Sequence, residues 1–177
     1  MRVIAGKYKK SNLFSVPGKT SRPTTDYIKE LLFSVIQDCQ DQHILDLYAG
    51  SGGISFEALS RGAKFATMVD FSDKAISTMK KNIAKLGCSE SCRIHKKRAT
   101  SFLQKTEQNF DLIFMDPPYE KNLVNKTLQQ IVENERLNPA GKVIIEHSFR
   151  EQVAEKYSAQ VSYHKKCGET AITILEF

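Results

Sequence analysis

Short apolar runs alternate with amphipathic stretches from residue 43 onwards, and this alternation predicts the fold. The runs HILDLYA, KFATMVD, CRIHK, FDLIFMD and GKVIIEH have the length and character of strands. Between them, the stretches GGISFEALSRG, DKAISTMKKNIAKLG, TSFLQKT and KNLVNKTLQQIVEN are typical of helices. A chain that alternates strand and helix forms a mostly parallel sheet with helices on both faces.

The two ends of the chain add further elements to this core. Near the end, QVSYHKK and TAITILEF predict two closing strands in a hairpin, and a helix is expected around residues 149–157. At the start, RVIAGKY and NLFSVP predict two short strands around a basic turn, followed by a loop. We therefore predict one α/β domain with seven strands, in which residues 1–24 form a hairpin-and-loop extension and residues 25–177 the core.

Composition narrows the class of partner. The chain has 177 residues, is 41% hydrophobic and carries a net charge of +6, much of it in the clusters GKYKK, HKKR and HKK. Such a charge favours a polyanionic partner, nucleic acid above all, although each cluster alone is typical of a solvated surface. There is no apolar run of bilayer length and no secretory signal, so a cytoplasmic protein is expected. The four cysteines lack zinc-site spacing, so we expect free thiols and no metal.

The segment DLYAGSGG follows the first strand of the core. Its glycines allow a sharp turn and a close approach to a ligand, and the next helix begins with unpaired amides. Ser55 stands where a nicotinamide-dinucleotide fingerprint has its third glycine, and no Gly-Lys-Ser/Thr follows. A tight turn with no ligand is the alternative. The candidate cofactor residues here are Asp46, Tyr48, Ala49, Gly50, Ser51 and Gly52. We expect a valine at position 52 to block the cofactor while leaving the fold largely intact.

The second strand ends at Asp70, which is followed by Phe71. A carboxylate at this place can accept hydrogen bonds from the two hydroxyls of a ribose. The alternative is the N-cap of the next helix, a role that Ser72 or Asp73 could also fill. Asp70 and Phe71 are therefore further candidates for cofactor binding.

The fourth strand stops abruptly at Asp116-Pro117-Pro118-Tyr119. Two successive prolines end a strand because neither can donate a main-chain hydrogen bond. The strand end thus presents a carboxylate, a stiffened turn and an aromatic ring at the same sheet edge as the glycine loop and Asp70. The alternative is a turn with no chemistry.

Taken together, these motifs resemble a class I S-adenosylmethionine-dependent methyltransferase, and Asp-Pro-Pro-Tyr matches the branch that methylates exocyclic amines. The segments RVIAGKYKKSNL, RPTTDYIKELLF, LDLYAGSGGISFEALSRGA and FDLIFMDPPY are similar to the RsmD family. That family methylates the N2 amine of a guanine in bacterial 16S ribosomal RNA. The resemblance covers essentially the whole chain and implies a Rossmann-like sheet, S-adenosylmethionine as cofactor, and a monomer that acts on ribosomal RNA and not on a membrane.

The same resemblance implies roles for single residues. Asp116 and the Pro117 carbonyl would accept hydrogen bonds from the target amine, and Tyr119 would stack on the base. At the adenine of the cofactor the family has an acid or amide, whereas this chain has Arg98-Ala99, and an arginine cannot accept a hydrogen bond. The residues expected to contact RNA are Lys7, Lys9, Lys10, Arg22 and Thr24.

Two other functions stay open at this point. One keeps the chemistry and changes the acceptor to an adenine amine in RNA or DNA. The other is a ribosome-assembly protein that retains the fold without turnover, for which Arg98 is the only support.

Overall fold

The computed structural model describes residues 1–18, 26–36, 39–119 and 122–177. Its strands form one seven-stranded sheet in the order β3-β2-β1-β4-β5-β7-β6. The strands are β1 His43–Leu47, β2 Phe65–Asp70, β3 Cys92–Lys96, β4 Phe110–Met115, β5 Leu137–Ser148, β6 Val161–Cys167 and β7 Thr170–Glu176. The helices are α1 Asp26–Ile36, α2 Gly53–Ser60, α3 Asp73–Leu86, α4 Ala99–Leu103 and α5 Leu123–Glu133.

Five strands of the sheet are parallel. β1 pairs with β2 on one side and with β4 on the other, and β3 and β5 extend the parallel array. β7 runs antiparallel to both β5 and β6. The chain order reverses on either side of β1, and ligands of open α/β sheets bind beyond the carboxyl ends of the strands at such a place. The predicted seven-stranded, mostly parallel sheet is confirmed.

Helices cover both faces of this sheet, as the sequence pattern predicted. On one face α1, α2 and α3 pack through an apolar cluster that also takes in Val3 and Leu13 of the N-terminal segment. On the other face α4 and α5 pack over Leu45, Ile113 and Ile145. No helix in the described ranges is both long and apolar enough to cross a membrane.

The prediction of a helix around residues 149–157 is wrong. The described chain turns there and forms only a 3₁₀ segment, Glu155–Gln160. Side chains accept the amide protons of this stretch: the Ser148 hydroxyl accepts from the Arg150 amide at 3.3 Å, and Asn125 Oδ1 accepts from the Ala154 amide at 2.8 Å. Such local bonds compete with helix formation.

The N-terminal segment runs along α2. The two expected strands contribute one antiparallel bridge, between Arg2 and Asn12. The Glu57 carboxylate of α2 accepts the amides of Ile4 and Ala5 at 2.7 and 3.1 Å. The basic turn that follows is fixed at the carboxyl end of α2, where the Ser60 carbonyl accepts a hydrogen bond from the Lys7 amide at 2.7 Å.

Replacing Glu57 by Ala should loosen this segment near Ile4 and Ala5. Glu57 is fully buried, and its carboxylate also accepts a hydrogen bond from Arg61 Nε at 2.8 Å. Its loss leaves two amides and one guanidinium without this acceptor. We expect the free energy of unfolding to fall by about 3 kcal/mol, since three part-buried donors lose charge-assisted bonds to a buried carboxylate. Denaturant unfolding gives this value, and amide exchange at Ile4 should accelerate.

The control for this change is Glu90→Ala, which removes an exposed carboxylate. An unfolding free energy that stays the same in Glu57→Ala and Glu90→Ala would show that Glu57 does not anchor the segment.

Candidate active site

The glycine loop between β1 and α2 has an unusual backbone. Tyr48, Gly50 and Gly52 all adopt positive φ, at 64°, 58° and 79°. Such angles suit glycine, but they strain a tyrosine, and strain of this kind persists only where the surroundings fix it. The Tyr48 ring is held on the α5 side, where its hydroxyl lies 2.7 Å from Thr127 Oγ1. The loop is therefore a fixed structure whose main chain faces the carboxyl edge of the sheet.

Asp46 lies beneath this loop and is buried. Its carboxylate accepts the Ser55 hydroxyl at 2.7 Å and also the Ser55 amide. Burial raises the pKa of Asp46 to about 7, against the effect of the Ser55 bonds, and the nearby Asp116 and Asp70 carboxylates raise it further. Asp46 therefore retains its proton to a higher pH than an exposed aspartate does, and its side chain fixes the start of α2.

Asp70 holds the loop from the neighbouring strand. One carboxylate oxygen accepts the Gly50 amide at 2.9 Å and the other accepts the Ser72 amide at 2.8 Å. A carboxylate has about four acceptor positions, so two remain for the hydroxyls of a ribose. Asp70 therefore fits the predicted ribose contact and the turn into α3 at the same time.

The two loop glycines differ in what lies in front of them. A Cβ on Gly52 would lie 2.7 Å from the Phe56 ring and 3.0 Å from Met68 Sδ, both of them in the core. The expectation that Gly52→Val leaves the fold largely intact is therefore wrong, because the new side chain would displace core residues at a position with positive φ. A Cβ on Gly50 would meet nothing closer than the Tyr48 carbonyl at 3.9 Å. Gly50 borders the open space where a ligand could approach.

Phe71 and Arg98 lie next to each other at the ends of β2 and β3. Phe71 is 58% exposed, and the Arg98 guanidinium carbon is 5.7 Å from the centre of its ring. Ala99 begins α4 with its side chain buried in the core, so only its main chain could meet a ligand. An exposed aromatic ring beside the glycine loop suits a flat heterocycle such as adenine.

The segment from Asp116 to Tyr119 follows β4 at the same edge. Asp116 and Pro118 are exposed, and Pro117 is buried. Tyr119 is 41% exposed, and its hydroxyl lies 2.9 Å from Thr170 Oγ1 at the start of β7. The electrostatic effect of Asp116 on Asp46 places the two carboxylates near each other. A carboxylate and a half-exposed ring thus lie beside the glycine loop.

The basic residues predicted to bind RNA lie farther from the glycine loop than Asp70, Phe71 and Asp116 do. Lys7, Lys9 and Lys10 are exposed on the turn at the carboxyl end of α2. That helix has eight residues, a length of about 12 Å, and it starts at the glycine loop. The lysines therefore lie roughly one helix length from the site. Arg22 and Thr24 lie outside the described residues.

Residues that support the site were missed from the sequence. In the sequence Ser55 is only a departure from a glycine fingerprint, yet in the structure its hydroxyl donates to Asp46. Asn82 is buried in α3, and its amide nitrogen donates to the Ser51 carbonyl at 3.0 Å and to the Phe14 carbonyl at 3.1 Å. A polar residue in the apolar pattern of α3 was the available signal, but its partners are distant in sequence.

The arrangement suits a positively charged, flat ligand next to an amine acceptor. Asp46, Asp70 and Asp116 concentrate negative charge at one edge, which favours a cation there. Within the described part of the chain, no group of His, Cys, Asp and Glu side chains could hold a metal ion. The described residues offer hydrogen-bond acceptors, negative charge and an exposed aromatic ring at this edge.

Known proteins resemble this chain over nearly its whole length. The family model described as conserved hypothetical protein 95 matches residues 1–176. YlbH of Bacillus subtilis (strain 168) is 37% identical over 179 residues, covering 98% of this chain and 97% of YlbH. Ribosomal RNA small subunit methyltransferase D of Escherichia coli (strain K12) is 32% identical over 178 residues, covering 92% of this chain and 87% of that protein.

A solved structure has the same fold. The Escherichia coli protein yhhF superposes with a TM-score of 0.87 at 30% identity, covering 99% of this chain and 97% of that chain. The chain therefore belongs to the conserved hypothetical protein 95 family, the RsmD family that its sequence motifs indicated.

Proposed function

We propose that the protein transfers a methyl group from S-adenosylmethionine to the N2 amine of a guanine in 16S ribosomal RNA. The observation that carries this proposal is the position of Asp116-Pro117 at the end of β4, beside the glycine loop and the Asp70 carboxylate. A relative that is 32% identical is named ribosomal RNA small subunit methyltransferase D, which supports the same substrate class. We further propose that the enzyme acts as a monomer.

The residues present fit the proposed cofactor. Asp70 would bind the ribose hydroxyls, Phe71 would stack on the adenine, and the open side of Gly50 would admit the rest. Arg98 lies over Phe71, so it would support the ring and not pair with the adenine amine. When bound, S-adenosylmethionine supplies an electrophilic methyl group on a positively charged sulfur.

Asp116 and Pro117 would act on the acceptor. The lone pair of an aromatic amine is shared with its ring, so the amine is a poor nucleophile. Hydrogen bonds from its two N–H groups to the Asp116 carboxylate and the Pro117 carbonyl would localise that lone pair. The buried proline holds both acceptors before the base arrives, which avoids an ordering cost during reaction.

Tyr119 and the basic turn would bind the RNA. The half-exposed Tyr119 ring offers a face for the target base, which must leave its stack to reach Asp116. Lys7, Lys9 and Lys10 would meet phosphates about a helix length away. This spacing requires a substrate larger than the target nucleotide, as a folded ribosomal RNA is.

The direct test is transfer of labelled methyl groups to unmodified 16S RNA and to 30S particles, followed by mass-spectrometric mapping. The proposal requires one N2-methylguanine. Methylated adenine would favour the adenine-amine alternative, and binding of S-adenosylhomocysteine without turnover would favour an assembly protein.

Gly50→Ala should weaken cofactor binding while the protein stays folded. The new Cβ enters open space and not the core, at a strain cost of about 1 kcal/mol for a left-handed alanine. We expect at least a tenfold loss of S-adenosylmethionine affinity by calorimetry. Gly87→Ala is the matched control, because Gly87 also has positive φ and open surroundings but ends α3. Equal affinity in the two variants would remove Gly50 from the cofactor site.

Cofactor binding should release a proton from Asp46. Its pKa of about 7 would fall next to a positively charged sulfur, so a proton bound at pH 6.5 leaves on binding. Release should shrink by pH 8, where Asp46 is already ionised, and S-adenosylmethionine affinity should rise with pH up to that point. Calorimetry in buffers of different ionisation enthalpy measures the release.

The neutral S-adenosylhomocysteine sulfur should cause less proton release, and Asp46→Asn, which can still accept the Ser55 hydroxyl, should cause none. Equal release for both ligands, or release that persists in Asp46→Asn, would contradict this role.

Asp116→Ala should abolish most methyl transfer without unfolding the protein. Asp116 is exposed at a strand end, so stability should stay close to that of the parent, and cofactor affinity should fall only slightly because Asp46 and Asp70 keep most of the negative charge at this edge. The single-turnover rate should fall on the order of a hundredfold or more, as when one preorganised transition-state hydrogen bond is removed. Asp116→Asn should lose less, because an amide oxygen still accepts. Transfer at the parental rate in Asp116→Ala would refute the mechanism.

A further inference from the structure

The basic cluster HKK at residues 164–166 is not used by the proposed function. It lies on β6, which ends at Cys167 opposite Thr170 of β7. Thr170 also pairs with Ser148 at the end of β5, and its hydroxyl contacts Tyr119. The cluster therefore ends at the carboxyl edge of the sheet, on the acceptor side of the candidate site.

Two cations share one aromatic ring at this edge. Lys166 Nζ lies 3.7 Å from the centre of the Phe149 ring, and the Arg150 guanidinium carbon lies 5.4 Å from the same centre. Phe149 is fixed by its amide, which donates to the Glu169 carbonyl at 3.1 Å. We call Phe149, Arg150 and Lys166 the acceptor rim.

The charges of the acceptor rim are available to a ligand. Lys166 has no carboxylate within ion-pair distance among the residues that the structure describes. Arg150 approaches Glu169 only at 3.8 Å, with the two side chains 71% and 77% exposed, and such a pair contributes little. The ring restricts the lysine, so less conformational entropy is lost when an anion binds.

We propose that the acceptor rim binds the RNA backbone next to the target nucleotide, with Lys166 and Arg150 on phosphate. This inference rests on the proposed function for the identity of the target and deepens it by naming a second RNA-binding surface. Lys7, Lys9 and Lys10 lie about a helix length from the glycine loop, whereas the rim adjoins Tyr119 through Thr170. Cations with an aromatic ring beside a base-stacking platform are what single-stranded RNA requires.

The test measures RNA binding and methyl transfer separately. Binding of an unmodified 16S RNA fragment is followed by fluorescence anisotropy against salt, with S-adenosylhomocysteine present so that no turnover occurs. Lys166→Ala with Arg150→Ala should weaken binding several-fold and lower the log–log salt slope by about 0.7 for each phosphate that the protein no longer neutralises. Phe149→Leu should weaken binding with the slope unchanged, because no charge is removed.

Lys142→Ala is the matched control. Lys142 is a partly exposed cation on β5 of the same sheet, paired with Glu176 at 2.9 Å near the amino edge. It should leave the RNA slope and affinity at the parental values. In methylation assays the rim variants should raise the KM for RNA and leave the KM for S-adenosylmethionine unchanged.

Parental RNA affinity and slope in the double rim variant, or an equal loss of affinity in Lys142→Ala, would overturn the inference even if the protein methylates its RNA. Slope changes confined to the rim variants would support it even if the wild-type protein transferred no methyl group, an outcome that would refute only the proposed function.

Discussion

The hydrogen bond from the Gly50 amide to the Asp70 carboxylate is the interaction on which the candidate site depends. It joins the loop after β1 to the end of β2, and so fixes the main chain in a left-handed conformation that β1 alone would not impose. The same carboxylate turns the chain into α3 through Ser72. One side chain therefore orders both walls of the cleft before any ligand arrives, which is the condition for tight binding without a large ordering cost.

The penalty of this arrangement is electrostatic. Three carboxylates converge at one edge, and Asp46 is buried there with a raised pKa. Ionised Asp46 disfavours folding, so stability owed to this group declines as pH rises from about 4 to about 7. Ser55 offsets part of that penalty with its hydroxyl and its amide. A positively charged ligand would offset more of this electrostatic penalty than a neutral one. The site therefore suits the sulfonium of S-adenosylmethionine better than the neutral sulfur of S-adenosylhomocysteine.

The sheet was predictable because strand and helix periods alternate along the chain and the glycine, Asp70 and Asp116 motifs sit at strand ends. What the sequence did not show were the partners across the fold. Nothing local links Asn82 to Ser51, or Tyr119 to Thr170, because these contacts exist only once the sheet has brought distant segments together. The turn after β5 could not be predicted for the same reason, since Asn125 of α5 accepts a hydrogen bond from the Ala154 amide across the fold.

The Tyr48 hydroxyl connects the strained loop to α5 through Thr127, on the face of the sheet opposite to α2. The loop conformation is therefore fixed by contacts with both α2 and α5, which are not consecutive in the chain. Positions 48 and 127 are therefore coupled: a change at one alters the hydrogen bonding of the other. Loss of the Tyr48 hydroxyl leaves the hydroxyl of the fully buried Thr127 without this partner, so the cost of such a change falls on α5 as well as on the loop.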